Sequence, residues 1–165
     1  MNDDVYAPPQ SDIDVAPKSQ EILASRWERL WASLIDTVIQ MVVIIPVMYY
    51  TGFFQQIMKG HEPSLQYNLA IAGVGLITFI VFHIKFLISS GQTIGKKILG
   101  IKIVDLHGQL PSIKTNLPIR YAVFFIPAQI PIIGQLLSII NILFIFGKEK
   151  RCLHDYAAGT KVVEV

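Results

Sequence analysis

Cysteine and charge are what this sequence of 165 residues has least of. Cys152 is the only cysteine, so no disulfide can close within the chain, and no CxxC pair or Cys/His spacing suggests a metal site. Only 16% of the residues are charged, whereas 52% are hydrophobic and the mean hydropathy is +0.49. Soluble domains carry about a quarter charged residues, so a soluble fold is excluded and an integral membrane protein follows. No histidine stands at a catalytic spacing from a nucleophile or metal ligand. His61, His107 and His154 read as surface or interfacial residues, and the chain is not expected to be an enzyme. Ser90-Gly91-Gln92-Thr93-Ile94-Gly95-Lys96-Lys97 falls one residue short of GxxxxGK[ST] and no strand precedes it, which removes nucleotide binding. The same stretch reads as a basic surface loop facing anionic lipid. The first 24 residues, with Asp3, Asp4, Pro8, Pro9, Asp12, Asp14 and Pro17, lack the basic start and short apolar core of a signal peptide. They read as a disordered polar tail, leaving 25–165 as one transmembrane domain.

Two apolar runs are long enough to cross a bilayer. The first extends from about Leu30 to Tyr50, behind Ser25-Arg26-Trp27-Glu28-Arg29. Ser25 with Glu28 fits a capping box, Trp27 and Trp31 suit the interfacial belt, and Pro46 is expected to kink the helix near its far end. The second runs from Tyr67 to about Ile88, with Ala72, Gly75, Phe79 and His83 on one face.

The first span carries a carboxylate. At about 100° per residue, Arg29, Ser33, Asp36 and Gln40 share a narrow arc. Asp36 lies roughly 9 Å beyond Leu30 at about 1.5 Å per residue. An ionised Asp at lipid depth costs on the order of 2.5 to 3.5 kcal/mol near the bilayer centre, so it must face protein or water. His83 lies as far from the end of its own span, and an antiparallel pair brings the two to similar depth. Lys85 is on another face and close enough to the end to snorkel.

Leu99 to Leu110 alternates apolar and polar residues around a turn at Asp105-Leu106-His107-Gly108 and reads as a short strand pair. Thr160 to Val165 is β-prone and suited to join it, because a lone ribbon is marginal. Tyr121 to Phe146 is free of charge but interrupted by Pro127, Pro131 and Gly134. Of fourteen Lys and Arg residues, only Lys59 falls in the loop between the spans. The positive-inside rule then puts both termini and the 91–120 segment in the cytoplasm, in a bacterial-type inner membrane. An even number of crossings is required from Arg120 to Lys148, so 121–146 is a helical hairpin or re-entrant pair turning at Pro127 to Gly134, its first arm starting near Ser112. One tilted helix is the alternative. The fold class expected is therefore all-α, with two full transmembrane helices, a C-terminal hairpin or re-entrant pair, and short cytoplasmic strands at 99–110 and 160–165.

Three ordered motifs carry a family resemblance. Arg29-Leu-x-Ala32-x-x-Ile35-Asp36, then Gly91-Gln-Thr-x-Gly95-Lys96 with Gly100-x-x-Val104-Asp105, then Arg151-x-x-His154-Asp155-x-x-Ala158-Gly159-Thr160-x-Val162, resemble the RDD family of small membrane proteins. The arginine and two aspartates that name the family correspond to Arg29, Asp36 and Asp155. No cofactor is expected. The resemblance implies transport of unknown ligands, with sodium or other cation/proton antiport associated with some members.

Arg29 is about 10 Å along the axis from Asp36, too far for an easy pair, and is expected to clasp Asp155 at the surface as a bidentate partner. Asp36 is left for His83, Ser33, Gln40 or a cation, an oxygen-rich setting suited to Na⁺ or a proton. Two functions follow. One is a small transporter exchanging ions at Asp36. The other is a membrane scaffold or accessory subunit whose Arg and Asp residues are structural. The partners expected are the lipid bilayer and a second copy or another membrane protein, not nucleic acid.

Overall fold

The computed structural model describes residues 21–130 and 133–165. The polar tail expected over 1–24 lies outside the described residues as far as position 20, and so do Pro131 and Ile132 of the expected turn.

Helix α1, Arg26–Tyr50, begins at the capping box: the Ser25 hydroxyl accepts from the Glu28 N–H at 3.1 Å, and the Ser25 N–H donates to Glu28 Oε2 at 2.7 Å. Pro46 lies within it. A short helix α2, Phe53–Met58, leads to α3, Leu65–Ser90, whose N-terminus is capped by Ser64 and whose end is set by Gly91 in the left-handed region at φ 68°. Thr51 and Tyr67 share a hydroxyl hydrogen bond at 2.7 Å at this far end. Helices α1 and α3 are long and apolar enough to cross a membrane. Few of their side chains are buried, and Val42, Ile77 and Val81 stand exposed. That is the surface a bilayer covers rather than a soluble core.

The packed core sits at the opposite end. Ala24 and Ala32, Leu87 at the close of α3, Ile101, Ile103, Leu117 and Val162 form one buried cluster. Helix α4, Ile94–Ile98, follows the Gly91 turn and lies on the first turns of α1. Strand β1, Ile101–Asp105, pairs antiparallel with β2, Thr160–Glu164, with Ile103 opposite Val162. The strand pair expected within 99–110 does not form. Asp105 turns the chain by accepting from the N–H groups of His107 and Gln109 at 2.8 Å each, Pro111 follows with no N–H to offer, and β2 is the strand that pairs with β1. On the other side of β2, the Ala24 N–H donates to the Val162 carbonyl at 3.1 Å and the Glu164 N–H to that of Ile22 at 3.0 Å. Residues 22–24, grouped with the tail by composition, thus belong to the sheet.

The uncharged C-terminal run is broken, not one helix. Helix α5, Asn116–Phe125, passes into a 3₁₀ turn at Pro127–Gln129, and α6, Ile133–Leu143, into another at Phe144–Phe146. The first arm starts at Asn116 rather than Ser112, whose N–H donates to the Asn116 side chain in the preceding turn. Gly134 is packed so tightly on the Pro127 carbonyl that a Cβ there has no room. Helix α7, Leu153–Ala157, then leads into β2.

Candidate functional site

Two carboxylates organise the packed end, Asp155 on α7 and Asp36 on α1. Asp155 is fully buried and accepts from the guanidinium of Arg29, that of Arg120 and the Cys152 N–H, the last at 2.8 Å. Both arginines continue to further acceptors. Arg29 Nη1 donates to the Lys150 carbonyl at 2.5 Å and Arg120 Nη1 to the Thr160 hydroxyl at 2.7 Å. Lys150 adopts φ 49°, an uncommon backbone state for a residue with a side chain, where its carbonyl meets Arg29. One carboxylate therefore joins α1, α5, α7 and β2. Burial pushes the Asp155 carboxyl up, but the charges of Arg120 and then Arg29 outweigh it and hold the group well below the usual range.

Beside Asp155, His154 is buried rather than interfacial as expected. Its backbone N–H and its Nδ1 both meet Asn141 Oδ1 on α6, at 3.0 and 2.9 Å. An oxygen that already accepts the backbone N–H can only accept from the ring, so the proton of the neutral imidazole is on Nδ1. Burial, then the charge of Arg120, lower this histidine to about 3. Cys152, His154 and Asp155 offer ligand atoms within 4.8 Å of one another. The carboxylate is already clasped by two guanidiniums, so a metal cation does not suit the cluster.

Asp36 is held differently. Its Oδ2 accepts from the Thr93 hydroxyl at 2.5 Å and its Oδ1 from the Gly95 N–H at 2.7 Å. Gly95 is required there, because a Cβ would collide with the Ala32 carbonyl of α1. Gly91, Gln92, Thr93 and Gly95 are buried, so this stretch is not the lipid-facing loop its lysines suggested. His83, with no exposed surface, has its Nε2 3.9 Å from Asp36 Oδ1 and accepts the Ile94 N–H at Nδ1 at 3.3 Å. Lys96 is half-buried and its ammonium reaches the Thr93 hydroxyl at 3.5 Å. Burial, then the charge of Arg120, lower it to about 8.

The sequence model of the RDD family matches residues 23–159. This chain belongs to the RDD family. An uncharacterized protein of Haemophilus influenzae is 28% identical over 150 residues, covering 88% of this chain and 81% of that one. No solved structure matches.

In this RDD chain the three signature residues do not form one site. Arg29 and Asp155 pair as the spacing implied, but in the interior, with one guanidinium nitrogen on the carboxylate and the other on a carbonyl. Asp36 belongs to the second cluster with His83. Ser33 and Gln40 do not reach it: the exposed Ser33 donates to its own helix at the Arg29 carbonyl, 3.0 Å away, and Gln40 donates to the Gly75 carbonyl of α3. Arg120, Thr93, Gly95 and Asn141 complete the two clusters; Thr93 and Gly95 stand in one of the family motifs without a role assigned there, and Arg120 and Asn141 were not singled out as site residues. Arg120 had a visible signal, a charge at the edge of 26 uncharged residues.

Proposed function

We propose that this RDD protein is a multi-pass component of the inner membrane, with both termini cytoplasmic, that serves as a scaffold or accessory subunit and not as a carrier. The observation behind this reading is that all four oxygens of the two signature aspartates accept hydrogen bonds from the chain itself. A carboxylate that fastens helix to loop in this way is a structural latch. The topology rests on two supports. Hydrogen bonds from 22–24 and from β1 to β2 gather the N-terminal segment, the 91–115 segment and the C-terminal strand at one end, and that end carries nearly all the lysines and arginines. Gly75 is used within the chain, against Gln40 and Ile44, so a second copy or membrane partner meets other lipid-facing surface.

A second reading, cation/proton exchange at Asp36, is favoured by one feature. This carboxylate, unlike Asp155, takes its hydrogen bonds from neutral donors, with a buried histidine beside it. Proteoliposomes under an imposed pH gradient separate the two. Purified protein is expected to carry no Na⁺, K⁺ or Li⁺ flux above empty vesicles. Cation-dependent flux that disappears in a folded Asp36→Asn variant overturns the scaffold reading in favour of exchange.

A further inference from the structure

Two polar side-chain atoms on the facing sides of α1 and α3 have no hydrogen-bond partner in the protein although both are buried: His83 Nε2 and Gln40 Oε1. They lie on one seam. Gln40 is one turn beyond Asp36, about 6 Å along α1, and its amide nitrogen donates to Gly75, two turns before His83 on the same face of α3. Leaving a polar atom unpaired in such a place is destabilising, so a native interior supplies a partner.

The chemistry of that partner follows from the protonation of the imidazole. Ile94 donates its N–H to His83 Nδ1, so this nitrogen is the acceptor and the ring proton is on Nε2, directed toward Asp36. At 3.9 Å the pair is too far apart for a direct hydrogen bond. A water molecule lying off the line between them accepts from Nε2–H and donates to Oδ1, while Gln40 Oε1 asks for a donor. The seam thus presents one N–H donor and two oxygen acceptors. A bare metal cation satisfies the oxygens and is repelled by the N–H, and an anion is repelled by Asp36. Water meets each requirement, one molecule between His83 and Asp36 and a further one at Gln40, about 6 Å along α1.

We propose that the α1/α3 seam holds an internal water site, bridging His83 Nε2–H to Asp36 and extending to Gln40, and that this site does not bind bare cations. The water bridge stands apart from both readings of function, since a latch and an exchanger can each enclose water; the exclusion of cations rests on the scaffold reading, and its failure is read separately, from the response to Na⁺ and not from water transfer.

The test uses the full chain, labelled with ¹⁵N at histidine and reconstituted in phospholipid bilayers, read by solid-state NMR. His61 and His107 are identified with His61→Gln and His107→Gln, both at exposed positions. His154 is identified by a cross-peak from its ring to Asn141, 2.9 Å away, in a sample labelled at both residue types, and His83 is the one that remains, so the assignment presupposes neither tautomer. Magnetisation from water is expected to reach His83 Nε2–H several-fold faster than His154 Nδ1–H, which is tied to Asn141. Replacing choline with Na⁺ is expected to leave the His83 resonances unmoved. A slow build-up equal to that of His154, or a His83 proton on Nδ1, overturns the water site. A Na⁺-dependent shift at His83 overturns the exclusion of cations.

Discussion

Asp155 and Asp36 are the same kind of residue at the same packed end of the molecule, yet the protein holds them by different physics. Asp155 has no exposed surface and two guanidiniums in direct contact, so its charge is neutralised where it sits. Asp36 keeps 13% of its side chain exposed and leans on a hydroxyl and a backbone amide, dipoles that stabilise a negative charge without cancelling it. The first arrangement binds four elements into one end of the molecule. The second fastens a single turn, 93–95, to the first span and leaves a charge beside a buried histidine. Two aspartates that a resemblance groups together therefore do not form one site in this protein.

The contrast predicts unequal consequences for the same substitution. Asp155→Asn leaves Arg29 and Arg120 buried without a counter-charge, a loss of about 3–5 kcal/mol. In detergent it should unfold far more readily than the parent, and it should accumulate poorly in the membrane. If thermal unfolding of Asp155→Asn matches the parent, the clasp is not what holds the end together.

Much of the first arrangement was legible beforehand. The capping box at Ser25 fixed where α1 starts, and Arg29 with Asp155 could be paired because Arg29 is too far along the helix to serve Asp36. Arg120 escaped because a charge flanking an apolar run reports which side of a bilayer it favours, not which carboxylate it reaches across 35 residues. The Thr93 to Gly95 turn was misjudged for a related reason. Its glycine and lysines look like surface chemistry, and only the fold shows that Gly95 is small so that its amide can touch Asp36 over the Ala32 carbonyl. The pairing of 99–110 with 160–165 was legible and holds, but the first segment supplies one strand and not two, since alternation reveals a strand and does not say where a turn ends it.

Asp36→Asn sharpens the comparison at a smaller scale. The amide keeps one acceptor but turns an NH₂ toward either Thr93 or the Gly95 N–H. The expected cost is about 1.5–3 kcal/mol, the range for hydrogen bonds to a charged group. Denaturation of the two Asn variants side by side should rank Asp155→Asn as the more damaging. A reversed order means that the turn on α1, and not the clasp, is the keystone.

The mildest effect belongs to the groups that surround these carboxylates and titrate. Lys96 is lowered from 10.5 to about 8 by burial and then by Arg120, so between those values the unfolded chain binds a proton that the folded chain does not. Stability therefore rises as pH climbs from about 8 to 10.5, the reverse of what an ion-paired lysine gives. His154, lowered from 6.5 to about 3, works on the other side: as pH falls from 6.5 toward 3 the unfolded state gains a proton and stability declines. The depressed carboxyl of Asp155 adds to that acid loss below the ordinary carboxylate range. Lys96→Met keeps most of the aliphatic stem and removes the charge. Unfolding midpoints measured from pH 7 to 10.5 should climb for the parent and not for this variant, which keeps the opposing alkaline loss from Cys152, whose thiol burial pushes up. A variant that still climbs assigns the alkaline limb to another group and leaves the surroundings of Asp36 electrostatically no different from those of Asp155.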